Sequence, residues 1–396
     1  MTKPGTPVRE LATPAIIIYL DVLEANIAAM SQLARDAGVR LRPHTKIHEC
    51  PDIARMQITA GACGIEVGAI ERAFCMAEAG IYDILVAHPF YGDDKLAHLR
   101  RLLGTPGLRI TVIADMIEQA EGVSRLGAEC GRTIPLLMKI NTGGDRFGVP
   151  PGEPALRLAR DLCRLPGIAF QGIYAHESGG KPTPEGLEEV ALTTATLTAQ
   201  TARLLAQEGI PVTHVSVGAS PTLRAACALL KGGRFPEITE IHPGHCSIGD
   251  IWHVRALANP RGACAAAVLC SVMSAVDPRH VIIDAGYKIF GADSLIQYRD
   301  QPGFFREGRP SYGAVQDRPD LWLGKLSAET GDILYTDPET PPEKRLRIGE
   351  RLEIIPNNAT LAISTQEIIY GVRNGLVERV FAIAGRSRGS GHARTI

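Results

Sequence analysis

Short apolar runs alternate with amphipathic stretches through the first 245 residues. Runs at 15–20, 39–42, 64–67, 83–87, 109–114, 135–140, 168–174, 213–217 and 237–241 are rich in Ile, Val and Leu and read as strands. Between them, 22–37, 70–79, 116–126, 153–164 and 188–208 carry apolar residues at helical spacing, and Pro51 suits the first turn of a further helix. Alternation at a spacing of roughly 25 residues implies parallel strands joined by helices, and eight or more such units imply a closed (β/α)8 TIM-type barrel. An open doubly wound sheet is the alternative. The run count exceeds what an eight-stranded barrel takes, so one terminal strand belongs elsewhere.

Near residue 250 the pattern changes. Runs at 265–276, 280–284, 346–355 and 377–383 are separated by Gly, Pro and Asp turns without long helical periods, which predicts a C-terminal β-rich domain. The stretch 292–321 reads as a long loop. The expected division is an α/β barrel over 15–250 and a β domain over 251–396, with residues 1–14 packing on the latter.

Composition narrows the function. The 396 residues carry 42 Lys+Arg against 43 Asp+Glu, a formal charge of −1, so no general field draws the molecule to nucleic acid or anionic lipid. The first apolar run stops at Asp21, too soon for a signal peptide or a membrane span. The 9 cysteines are odd in number and contain no Cys-x-x-Cys pair, which points to a reducing compartment and away from a cysteine-rich zinc site. A cytoplasmic enzyme acting on small molecules is expected.

The candidate chemistry stands at strand ends, where a barrel opens its active-site mouth. Arg42-Pro43-His44-Thr45-Lys46-Ile47-His48 follows the second run, and a lysine crowded by other cations is the type that forms Schiff bases. Lys139 to Val149 follows a later run, with a glycine pair that admits close backbone approach and Arg146 as an oxyanion fork. Gly172 to Gly180 contains His176. Ser216-Val217-Gly218-Ala219-Ser220-Pro221-Thr222 offers hydroxyls and backbone N–H groups ahead of a helix, a pattern suited to phosphate. Glu240-Ile241-His242-Pro243-Gly244-His245 closes the series. A lysine, an arginine, a histidine and a phosphate cradle on different strand ends are what a phosphorylated carbonyl cofactor held by a Schiff base requires.

This ordered series resembles the D-threonine aldolase and D-serine dehydratase family of pyridoxal-phosphate enzymes, which share the alanine-racemase-like fold. The resemblance covers nearly the whole chain, and Pro43-His44-Thr45-Lys46-Ile47-His48 is its most specific part. It implies a homodimer with active sites at the interface and an amino-acid substrate. By position, Lys46 matches the lysine that bonds the cofactor, Arg146 the arginine near its phenolic oxygen, and His176 the ring lying against the pyridine. Ser216, Gly218, Ser220 and Thr222 match its phosphate loop, and Gly244 and His245 are further cofactor-binding candidates. Asp284-Ala285-Gly286-Tyr287-Lys288 matches a β-domain segment, where Asp284 is as well explained by a structural role as by a catalytic one.

The chain also departs from that family. Aldolases and dehydratases of the family hold a divalent metal through a histidine, with a cysteine or aspartate two residues later, after a Pro-Asn turn. Here the turn reads Pro356-Asn357-Asn358-Ala359-Thr360, whose neutral oxygens are poor donors for zinc or manganese. The expectation is pyridoxal 5'-phosphate without the usual metal, in a lyase or aldolase acting on D-3-hydroxy amino acids. A metal-independent racemase or aminotransferase-like enzyme, or a D-serine dehydratase-type deaminase, are the alternatives. Lys46 is the candidate for moving the Cα proton. His44, His48 and His245 are candidate bases for a β-hydroxyl.

Overall fold

The structure is a computed structural model, and it describes residues 2–178, 180–294, 305–306 and 309–386. By contacts the chain divides into two compact units, one over Ile27–Cys246 and one combining Met1–Asn26 with Ser247–Arg386.

The first unit is a parallel barrel. Its strands follow β1 (Ala15–Tyr19), which lies in the other unit: β2 (Arg40–Leu41), β3 (Ile65–Val67), β4 (Asp83–Val86), β5 (Arg109–Ala114), β6 (Ile134–Lys139), β7 (Ile168–His176), β8 (His214–Gly218) and β9 (Glu240–Ile241). They are ordered β2-β9-β8-β7-β6-β5-β4-β3. The ring closes where Cys63 N–H donates to Leu41 O at 2.9 Å and Glu66 N–H to Pro43 O at 3.0 Å. Strands β3 and β8 are buried along their full length, as expected where helices cover one face and the barrel interior fills the other.

Local signals set the helices between them. After α1 (Leu20–Ala37) comes α2 (Pro51–Thr59), which starts on Pro51 at its first position, as the sequence predicts. Then follow α3 (Arg72–Glu78), α4 (Asp93–Leu103), α5 (Ile117–Glu129) and α6 (Glu153–Cys163). In α6 the buried residues Ala155, Leu156, Ala159 and Leu162 form one stripe at the helical period. Helix α7 (Pro184–Gln207) begins where the Thr183 hydroxyl accepts Gly186 N–H at 3.1 Å, an N-cap followed by proline. Helix α8 (Leu223–Leu230) follows β8.

The second unit is mostly antiparallel. It contains β1, α9 (Ile251–Arg255), β10 (Ala266–Ser274), β11 (His280–Ile283), α10 (Tyr287–Phe290), β12 (Phe305–Arg306), β13 (Arg309–Pro310), β14 (Gly313–Val315), β15 (Leu321–Leu326), β16 (Gly331–Tyr335), β17 (Arg351–Pro356), α11 (Ala359–Ser364), β18 (Ile368–Arg373) and β19 (Leu376–Ala382). Strands β12 to β14 lie within the stretch read from sequence as a loop. The main sheet runs β15-β16-β11-β10-β1-β18-β19, with β17 paired to β10 and β14. Ile17 is the hinge of its register, opposite Ala267 on β10 and Tyr370 on β18. Leu11, Ile17, Leu269, Val372 and Val377 pack into one core around that pairing.

The surplus strand of the sequence pattern is therefore β1. The run Ala-Ile-Ile-Ile-Tyr carries no mark of which sheet it joins, so its place before a helix counted it into the barrel. The units divide after Asn26 and Cys246, against an expected 15 and 250. Asp284 accepts from the Thr13 hydroxyl at 2.6 Å and from Ser271 N–H at 2.7 Å, tying the segment before β1 to β10. Among the described residues no helix is long and apolar enough to cross a membrane.

Candidate active site

A cavity of about 290 Å³ opens at the C-terminal end of the barrel strands. His44, Lys46, Arg146 and His176 line it, so four of the residues singled out from sequence meet in one place. Thr45–Ile47 forms a single 3-10 turn beyond β2, in which His44 Nδ1 accepts Lys46 N–H at 3.1 Å. That bond leaves the ring proton on Nε2, which faces Glu66 Oε1 at 3.7 Å.

Lys46 is exposed at the mouth but walled by protein elsewhere. Crowding out of water lowers its pKa; Glu66 opposes the shift only when ionised, and Arg146 adds to it. Burial likewise holds the neighbouring imidazoles neutral. His44 falls well below the usual range, and His176, facing Lys46, Lys139 and Arg146, falls to about 3. These rings are weak proton acceptors.

The structure adds four residues that the sequence reading did not assign. Lys139 ends β6 inside the cavity, donates to Ala87 O at 3.2 Å, and has its pKa lowered to about 8 by burial. His88 follows β4, stacks on Phe147 at 5.7 Å and accepts from Arg146 Nη2 at 3.5 Å. Glu66, the middle residue of β3, accepts the Tyr174 hydroxyl at 2.8 Å. His242 stacks under Tyr174 at 4.2 Å and hydrogen-bonds Ser216 Oγ through Nδ1 at 2.8 Å. Lys139 and His88 follow the same strand-end rule that located Lys46. Glu66 lies mid-strand, where only barrel curvature decides that it points inward.

The other predicted residues lie outside this cavity's lining. Ser220 Oγ accepts the backbone N–H groups of Gly244 at 3.1 Å and His245 at 2.9 Å, so three predicted residues form one cluster. Gly244 has no room for a side chain: a Cβ there would stand 2.4 Å from His44 O. Ser216 and Gly218 belong to the buried strand β8. The Thr222 hydroxyl is directed to Glu177, a buried carboxyl whose pKa burial pushes up to about 7. His48 is fully buried, accepts Cys50 N–H through Nδ1 at 3.0 Å, and is held at about 4.

In the second unit, at the turn expected to replace a metal site, Asn358 is engaged through both amide atoms and Asn357 through its Nδ2, while Asn357 Oδ1 is buried without a partner among the described residues. Asn358 Oδ1 accepts Leu361 N–H at 3.2 Å as the N-cap of α11, and its Nδ2 donates to Asp293 Oδ2 at 3.1 Å. Asn357 Nδ2 donates to Ser311 O at 2.6 Å. Among the described residues no group of three or more His, Cys, Asp or Glu side chains is placed to hold a metal ion.

Comparison with known proteins bears on this geometry. The alanine racemase N-terminal domain family matches residues 18–251, and a serine dehydratase domain family matches residues 265–372. The chain is 29% identical over 391 residues to a D-threonine aldolase of Arthrobacter sp, covering 97% of this chain and 95% of that protein. It is 31% identical over 363 residues to the D-threo-3-hydroxyaspartate dehydratase of Delftia sp. (strain HT23), covering 88% and 91%. The crystal structure of D-threonine aldolase from Filomicrobium marinum superposes with a TM-score of 0.84 at 28% identity, over 97% of this chain and 98% of that one. With a lysine-bearing barrel mouth, a β-rich second unit and relatives matched nearly end to end, the chain belongs to the D-threonine aldolase and D-serine dehydratase family, the alanine-racemase-like, pyridoxal-phosphate-dependent lyases that act on D-amino acids.

Proposed function

We propose that this enzyme cleaves or dehydrates D-configured 3-hydroxy amino acids, with pyridoxal phosphate carried on Lys46 and no divalent metal at the 356–360 turn. The observation that carries the reading is Lys46: an accessible amine of lowered pKa in a cavity whose imidazoles are neutral.

The residues present fit the cofactor. Arg146 and Lys139 supply positive charge for its oxygens. Gly244, which has no room for a side chain, and the Ser220 hydroxyl beside it suit close approach of an anionic group. The buried Glu66 Oε2 and His242 Nε2 have no partner among the described residues. When bound, the cofactor supplies an electron sink for negative charge at the substrate Cα. Lys46 is then the group that takes and returns the Cα proton, because His44 and His176 bind protons too weakly at neutral pH to compete. Arg146, with His88 and Phe147 around it, orients an anionic oxygen.

The residues do not fit the metal. Asn358 is engaged in capping and in a bond to Asp293, and the Asn357 amide oxygen left over is a neutral donor, so the turn offers no anionic or imidazole donor pair. The names of the relatives support D-3-hydroxy amino acids as the substrate class. The same turn supports a second reading, a metal-independent racemase or aminotransferase-like enzyme, since chemistry at the Cα–H bond needs no ion on a β-oxygen.

The test is product analysis with D-threonine, D-3-hydroxyaspartate and D-serine, with and without a strong chelator. Glycine plus an aldehyde, or an oxo acid plus ammonia, at rates unchanged by chelation is expected. Loss of turnover on chelation overturns the metal-free part. Inversion in heavy water without cleavage overturns the choice of bond.

A further inference from the structure

Glu66 is the one acid among the described residues lining the cavity, and it is wholly buried. Its Oε1 accepts the Tyr174 hydroxyl, while Oε2 has no hydrogen-bond partner among the described residues. A buried carboxylate with one bare oxygen is costly, whereas protonation removes the charge and makes the carboxyl a donor. The surroundings come from four strands. Lys46 and His44 stand beyond β2, Lys139 on β6, Tyr174 on β7 and Glu240 on β9. Burial and the Glu240 charge favour the proton; Tyr174, Lys139 and Lys46 oppose it. The balance lies at about 8. Glu240 itself is kept ionised by Arg42 at 3.1 Å and His214 at 2.9 Å, so the second buried acid cannot take the proton instead.

We propose that Glu66 is an undissociated carboxylic acid at neutral pH and that, by withholding a counter-charge, it keeps Lys46 available as the free amine. A carboxylate in its place would hold Lys46 as an ammonium, which has no lone pair to add to a carbonyl carbon. The neutral carboxyl stands on the geometry of the cavity; its effect on Lys46 rests on reading Lys46 as the cofactor-bearing residue.

Infrared difference spectra of wild type against Glu66→Gln test the first part. The C=O stretch of an undissociated carboxyl is expected at pH 6.5, converting to carboxylate bands as the pH passes about 8. Tyr174→Phe is the second variant, because loss of the donor to Oε1 shifts that stretch even if Glu66→Gln folds poorly. Absence of the band from wild type overturns the proposal.

The second part is read by adding pyridoxal phosphate to the cofactor-free protein and following the visible absorbance against pH. In wild type the capture rate flattens as Glu66 ionises. In Glu66→Gln the flattening disappears, and the midpoint for Lys46 moves down by about one pH unit. Identical profiles overturn the coupling while the carboxyl band still stands. A borohydride label on a lysine other than Lys46 overturns the functional reading instead, again without touching the band.

Discussion

The Lys139 ammonium lies 4.9 Å from the centre of the Tyr174 ring, and 5.1 Å from that of Phe147. Two aromatic faces and the Ala87 carbonyl together favour the charged form of this lysine, so at neutral pH it is a cation despite its lowered pKa of about 8. Among the described residues no ring or carbonyl clamps Lys46 in this way. Two amines therefore share one cavity, and only one is set up to add to an aldehyde. Borohydride reduction of the cofactor-loaded protein should place the added mass on the peptide containing Lys46. Lys46→Ala should lose the visible absorbance and the activity, while Lys139→Met should still be labelled at Lys46. A label on Lys139 in the wild type would reverse the assignment.

The metal question has its own test. Asn358→His with Thr360→Cys restores a histidine and a thiolate two residues apart, and should create zinc affinity measurable by isothermal titration. Without metal, the double variant should lose about 1 kcal/mol, because Asn358 caps α11 through its bond to Leu361 N–H. No heat of zinc binding would mean that this turn is not where the family's ligands map.

How far the sequence foretold the site depends on what each residue's neighbours are. Lys46, Arg146 and His176 were legible because each follows an apolar run, and a parallel barrel sends every strand end to one mouth. Lys139 and His88 obey the same rule, but in the sequence Lys139 is overshadowed by the arginine seven residues on, whose fork is the more specific signal. Glu66 was not legible: its meaning comes from Tyr174 and Glu240 on distant strands, and a glutamate between isoleucine and valine looks like a solvent-facing strand position. The fold shows the same limit. Alternation announced the barrel, yet nothing within 15–19 revealed that its partners would be β10 and β18.

Glu177 makes stability depend on pH. Its carboxyl is buried at the end of β7, accepts the Thr222 hydroxyl, and is raised from 4.5 to about 7. The folded form binds the proton more tightly than the unfolded chain, so the contribution is fully present below pH 4.5 and is lost as pH rises through 7. A shift of this size corresponds to about 3 kcal/mol. Glu177→Gln keeps an acceptor for Thr222 and has no charge to bury. Urea midpoints should fall between pH 5 and 8.5 in wild type, and fall less in the variant. Equal pH slopes would show that Glu177 is not the titrating group.

Glu240→Gln should act on stability and on the cavity at once. Arg42 is 5% exposed and Glu240 wholly buried, with Arg42 Nε donating to Glu240 Oε2 at 3.1 Å. Removing that charge leaves the guanidinium with Asp83 Oδ1 at 2.6 Å as its remaining anionic partner within bonding distance. The expected loss is about 3 kcal/mol, read as a lower urea midpoint. The same substitution removes the negative charge that helps keep Glu66 protonated, so the Glu66 carboxyl band should convert to carboxylate at lower pH than in wild type. Reduced stability with an unmoved band would show that the two buried acids do not sense each other. An unmoved midpoint would show that Asp83 alone neutralises Arg42.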